Sequence, residues 1–137
     1  MARILCIDYG KKRTGIAVTD PFQIIATALD TIETKELFNF LKKYLSAEQV
    51  ELILIGEPLN LDDTETHATA SVREFIKGFQ KEFPNHPIKT VDERFTSKMA
   101  SQAMIEMGMK KKDRRVKGNV DQIAATIMLQ EYLQSVK

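Results

Sequence analysis

The run Arg3-Ile4-Leu5-Cys6-Ile7-Asp8-Tyr9-Gly10-Lys11-Lys12-Arg13-Thr14-Gly15 constrains this chain more than any other. Its first half is continuously apolar, the composition of a strand covered on both faces. Side chains alternate across a strand, so Ile4, Cys6 and Asp8 share one face and Asp8 extends an apolar row. A carboxylate placed there is costly unless it is paired or holds a cation. Two glycines then bracket three basic residues, which reads as a turn with a positive tip.

The segments that follow give the order of elements. Thr14 to Thr19 has strand composition and ends at Asp20-Pro21, so the first two strands read as an antiparallel hairpin. A third strand over Ile24 to Ile32 extends it into a meander. Thr34 reads as a helix cap ahead of Leu37, Phe38, Leu41, Tyr44 and Leu45 at helical spacing, in a helix that closes near Ser46. Glu51 to Gly56 is short and mostly apolar, hence a central strand reached by a right-handed parallel crossover. Ala68, Val72, Phe75, Ile76, Phe79 and Phe83 supply the buried stripe of a second helix. Ile88 to Val91 is a fifth strand, and a third helix is expected from about Ser97 to Gly108. A basic loop from Gly108 to Gly118 leads to a last helix, which Asn119 and Gln122 open with capping-box spacing. The order β-β-β-α-β-α-β-α-α predicts an α/β fold with a mixed five-stranded sheet and helices on both faces.

Composition narrows the setting. The chain has 137 residues, of which 43% are apolar, enough for one domain over residues 1–137 with one core. A single cysteine excludes an internal disulfide framework, and Cys6 is expected to pack as a small hydrophobe. No apolar run reaches membrane-spanning length, so a soluble cytoplasmic protein is expected. His67 and His86 read as exposed residues without a role. The net charge of +1 gives no bulk attraction for nucleic acid. Two clusters are nevertheless locally positive: Lys11, Lys12 and Arg13, and then Lys110, Lys111, Lys112, Arg114, Arg115 and Lys117.

Three acids fall where elements begin or end. Asp8 closes the first strand, Glu93 follows the fifth, and Asp121 lies in the first turn of the last helix. Carboxyl ends of parallel strands line the binding edge of such a sheet, so Asp8 and Glu93 can converge there. Asp121 joins them if the last helix crosses that edge, and Ala124 and Ala125 are small enough for close approach. Oxygen ligands without cysteine or histidine suit Mg²⁺ or Mn²⁺. Two such ions, roughly 3.5–4 Å apart, activate water and stabilise the leaving oxygen of a phosphodiester. Lys11, Lys12, Arg13 and Arg94 would hold the flanking phosphates. Each acid also has a plainer use: Asp121 as a helix-dipole partner, Glu93 as a surface ion pair, Asp8 as an acceptor in the glycine turn.

Taken in series, four segments resemble the YqgF-type family: Asp8 to Asp20, Gly56-Glu57-Pro58-Leu59-Asn60, Val91-Asp92-Glu93-Arg94-Phe95-Thr96-Ser97, and Asp121-Gln122-Ile123-Ala124-Ala125. Members are described as Holliday-junction resolvases and as nucleases that process the 5′ end of pre-16S ribosomal RNA. The resemblance implies a ribonuclease H-like fold and metal-dependent phosphodiester hydrolysis in the bacterial cytoplasm. It assigns the acidic positions to Asp8, Glu93 and Asp121, with Asp92 the substitute if strand five is out of register by one. Glu57 departs from the family's usual Gly-Leu-Pro turn. It is either a fourth ligand or an exposed substitution, and the second is preferred.

The expected function is therefore a metal-dependent endonuclease in ribosome biogenesis, acting on pre-rRNA. The alternatives are a Holliday-junction resolvase acting on branched DNA in recombination or repair, and a non-catalytic RNA-binding assembly factor. A monomer or weak homodimer is expected, with no sequence stripe marking a dimer face. The glycine turn also resembles the phosphate turn of actin-like ATPases, but those need two lobes and this chain has residues for one.

Overall fold

The computed structural model describes residues 2–57, 67–92 and 117–136, with backbone alone at 67, 68, 92 and 117–122. Five strands form one sheet: β1 (Arg3–Asp8), β2 (Arg13–Thr19), β3 (Ala26–Glu33), β4 (Val50–Glu57) and β5 (Ile88–Asp92). Their spatial order is β3-β2-β1-β4-β5, which puts β1 at the centre. β1 runs antiparallel to β2 and parallel to β4, and β4 is parallel to β5. The mixed sheet expected from the order of elements is the one observed.

Strand alternation sorts the core into two layers. Leu5, Ile7, Ile53 and Ile55 face one way, against Leu37 and Leu41 of helix α1 (Leu37–Ala47) and Val72, Phe75 and Phe79 of helix α2 (His67–Glu82). Ile4, Cys6, Ala17 and Leu54 face the other, against Ala125, Met128, Leu129 and Leu133 of helix α3 (Lys117–Ser135). Helices therefore cover both faces, as a central strand apolar on both sides requires. Cys6 is fully buried as a small hydrophobe. No described helix is long and apolar enough to cross a membrane.

Four local expectations give way. Thr34 does not cap α1. It begins a 3-10 turn (Thr34–Glu36), and its hydroxyl is taken up by the β1–β2 turn, so no side-chain cap precedes Leu37. β3 starts at Ala26 because Asp20 organises the preceding loop: its carboxylate accepts N–H bonds from Phe22 (3.1 Å), Ile24 (2.7 Å) and Ile25 (2.8 Å). Gln23 sits in the left-handed region at φ 59°, its side-chain amide donating to the Ala2 carbonyl. Helix α3 starts at Lys117, so Gly118 and Asn119 lie within its first turn rather than before it and at its cap. His86 is half-buried, edge-on to Phe83 with ring centroids 6.3 Å apart, not exposed. The helix expected between Ser97 and Gly108 and the loop after it to residue 116 lie outside the described residues.

Candidate active site

Because β1, β4 and β5 are parallel, their carboxyl ends share one edge of the sheet. Asp8, Glu57 and Asp92 are the last residues of those three strands. Asp8 is partly exposed there and pairs across the hairpin with Gly15. It shares its face with Ile4 and Cys6, which pack against α3.

α3 points its first turns at this edge. Lys89 lies over the Tyr132 ring, 5.0 Å from its centroid, and Lys89, Val91, Met128, Glu131, Tyr132 and Ser135 line one groove. Following β5 towards its carboxyl end therefore means following α3 towards its amino end. Ala124 and Ala125 are both buried, so small residues do bring the helix close to the sheet. Asp121 lies one turn before Ala125, and Lys117 opens the helix.

Glu57 belongs elsewhere. It continues the row of Ile53 and Ile55 on the face of α2, where its Oε1 accepts from Arg73 Nη2 at 3.3 Å. Asp92 pairs in register with Glu57, whereas Val91 packs in the layer of α3. Glu93, Arg94, Lys110, Lys111, Lys112, Arg114 and Arg115 lie outside the described residues.

The basic turn beside Asp8 is built tightly. A Cβ on Gly10 would collide with the carbonyl oxygen of Arg13, so no other residue lets the chain double back so closely. Thr34 holds the turn from outside: its N–H donates to the Lys12 carbonyl (2.9 Å), its hydroxyl donates to the Gly10 carbonyl (2.5 Å), and Thr14 shares a hydroxyl contact with it (2.9 Å). Lys11, Lys12 and Arg13 then line a shallow pocket of about 460 Å³ together with Glu33 and Lys35. Tyr9 leaves the strand on the opposite face and stacks on Phe75 at 4.8 Å, anchoring the residue next to Asp8. Burial pushes the Tyr9 hydroxyl above its ordinary pKa, with Glu74 adding to the rise.

The RuvX family, described as a Holliday junction resolvase, matches residues 2–135. The chain belongs to the RuvX family. A RuvX relative from Christiangramia forsetii, named "Putative pre-16S rRNA nuclease", is 55% identical over 133 residues, covering 97% of this chain and 98% of that protein. A second relative of that name, from Phocaeicola vulgatus, is 50% identical over 137 residues, covering 100% and 99%. Among solved structures, T. thermophilus RuvC in complex with a Holliday junction substrate superposes with a TM-score of 0.60, at 13% identity, over 100% of this chain and 98% of that one. At that identity the likeness establishes the ribonuclease H-like fold of this RuvX chain, in agreement with its sheet order.

Three contributions to this edge escape the sequence. The Tyr9–Phe75 stack and the Glu57–Arg73 pair depend on how α2 lies on the sheet, which periodicity does not give. Lys35 could have been found by counting: β2–β3 pairing puts Glu33 opposite Arg13, and Lys35 follows two residues on.

Proposed function

We propose that this RuvX protein is a metal-dependent endonuclease that hydrolyses phosphodiester bonds of pre-16S ribosomal RNA in the cytoplasm. The observation that carries this reading is the meeting, at one edge of the sheet, of the end of β1 at Asp8, the end of β5, the amino end of α3 and the basic turn. The names of the relatives supply the substrate.

Asp8, Glu93 and Asp121 would hold Mg²⁺ or Mn²⁺. An all-oxygen donor set of Asp8, Glu93 and Asp121 fits these hard cations, and Cys6, on the same face of β1, is buried in the core. The bound ion supplies Lewis acidity to the scissile phosphate. The chain supplies the rest. Tyr9 and the Gly10 turn fix the backbone on the carboxyl side of Asp8, and Lys11, Lys12 and Arg13 hold a flanking phosphate so that the scissile bond stays over the carboxylates. Parity along β5 favours Glu93 over Asp92, because Val91 already occupies the layer that Asp8 extends. Glu57, held by Arg73 on the other face, is left out of the ligand set. The second basic cluster, Lys110 to Lys117, serves as a clamp on the strand, and Arg94 as a further phosphate contact.

The test is cleavage of a pre-16S transcript and of a synthetic four-way DNA junction by purified protein with Mg²⁺ or Mn²⁺. Asp8→Asn is expected to reduce cleavage to below about one hundredth, more than the 10–100-fold lost when a supporting residue is removed. RNA cleavage that survives Asp8→Asn overturns the reading in favour of a non-catalytic RNA-binding factor. Cleavage confined to the junction moves the substrate to branched DNA, as the family description suggests.

A further inference from the structure

The basic turn after β1 is only half of the pocket it lines. The other half comes from the β3–α1 junction, which brings Lys35 and Glu33 to the pocket already lined by Lys11, Lys12 and Arg13. Four cationic side chains against one carboxylate thus gather in one place on a chain whose total charge is +1. Lys35 is not committed to stability: its Nζ meets Glu33 Oε2 at 3.2 Å, but the two side chains are 76% and 65% exposed, a pair that contributes little. An anion entering the pocket can displace that carboxylate at small cost. The scaffold, in contrast, is fixed, since Thr34 between the two residues bonds to both Gly10 and Lys12 of the turn.

We propose that the β3–α1 junction completes a phosphate pocket, in which Lys35 is the fourth cation and a backbone phosphate of the substrate strand is the ligand. The pocket lies on the β2–β3 side of Asp8. A strand seated in it crosses the carboxyl edge from β3 towards β5, with its next phosphates over Asp8. Glu33 acts as a competing anion that keeps Lys35 oriented when the pocket is empty. This proposal rests on the nucleic-acid reading of the edge but not on catalysis.

The experiment is fluorescence anisotropy with a labelled single-stranded RNA, in chelator so that no turnover occurs, over roughly 50–200 mM salt. Removing one phosphate contact makes the slope of log affinity against log salt shallower by about 0.7 for a single strand. Lys35→Ala is expected to show that change with several-fold weaker binding, Lys35→Arg to restore the slope, and Glu33→Gln to tighten binding. Lys81→Ala, at the far end of α2, keeps the wild-type slope. An unchanged slope for Lys35→Ala, or weaker binding for Glu33→Gln, overturns the proposal. So does protection against heat by inorganic phosphate that matches the protection by RNA at equal phosphate concentration, since the pocket then serves a free anion. Because Asp8→Asn affects cleavage and Lys35→Ala the salt slope, failure of one reading is separable from failure of the other.

Discussion

Gly10 carries more of the site than its lack of a side chain suggests. Its role is space rather than an unusual dihedral, because a Cβ there would occupy the position of the Arg13 carbonyl oxygen. Gly10→Ala is expected to destabilise the protein by about 1–3 kcal/mol, the range for forced overpacking. Urea denaturation measures this, and RNA affinity falls with it because the cationic tip is displaced. Asp20 governs pH dependence at the other end of β2. Backbone N–H bonds from Ile25, Ile24 and Phe22 hold its carboxyl below the usual carboxylate range, despite an opposing effect of desolvation. A depressed folded pKa means that the contribution is fully present above the unfolded value of about 3.9 and disappears as pH falls through the folded value. Asp20→Asn keeps an acceptor but not the charge. Its melting temperature is therefore expected to fall less steeply than wild type below about pH 4.

At the scale of elements, the hairpin turn and the β3–α1 junction form one unit through Thr34. Thr34→Val removes the two part-buried hydroxyl bonds to Gly10 and Thr14, so a loss of about 1–3 kcal/mol, or about 0.5–1.5 kcal/mol for each bond, is expected. Thr34→Ser recovers most of it, and chemical denaturation distinguishes the two. Helix α3 is the element on which the proposed ligand Asp121 stands, one turn before Ala125. Ala125 is fully buried against Cys6 and Leu54, and Ala125→Leu must push the helix off the sheet. The expected stability loss is about 1–3 kcal/mol. If Asp121 belongs to the proposed metal site, cleavage is expected to fall further than the folded fraction, because the start of the helix moves with Ala125. Both outcomes come from running a thermal melt and a cleavage assay on one preparation. The sequence reads α3 through Val120, Ile123, Ala124, Ile127 and Met128, whereas the observed stripe continues through Leu129 and Leu133. The buried positions Ala124, Ala125, Met128, Leu129 and Leu133 still form one stripe, turned towards Ala125 and Leu129 and leaving Ile123 and Ile127 half-buried at its margin, because apolar residues on adjacent flanks do not say which flank the sheet covers.

At the scale of the molecule, the two ends of the sheet differ in character. The carboxyl edge of β1 carries the acid and the cationic pocket. The opposite edge carries the loop ordered by Asp20, which holds Phe22, Ile24 and Ile25 at 61–64% exposure, an apolar tip that no sequence stripe announced. Local signals in the chain were enough for the described strands and helices and for the residues of the candidate site: β1's apolar run, Asp8 at its end, the glycine turn and the small residues of α3. The sequence also determined the mixed order of strands, since short turns force antiparallel neighbours and helical crossovers force parallel ones. The faces that Asp8 and Glu57 serve follow from strand register and helix packing. Glu57 and Asp8 both end central strands, and a shift of one residue in register would exchange their faces. The pairing of Ile7 with Ile55 sends Glu57 to Arg73 on α2 and leaves Asp8 in the layer of α3. Lys35 reached its pocket through the β2–β3 pairing, which sets Glu33 opposite Arg13, twenty residues away, so its place follows from strand register rather than from its own neighbours in the chain.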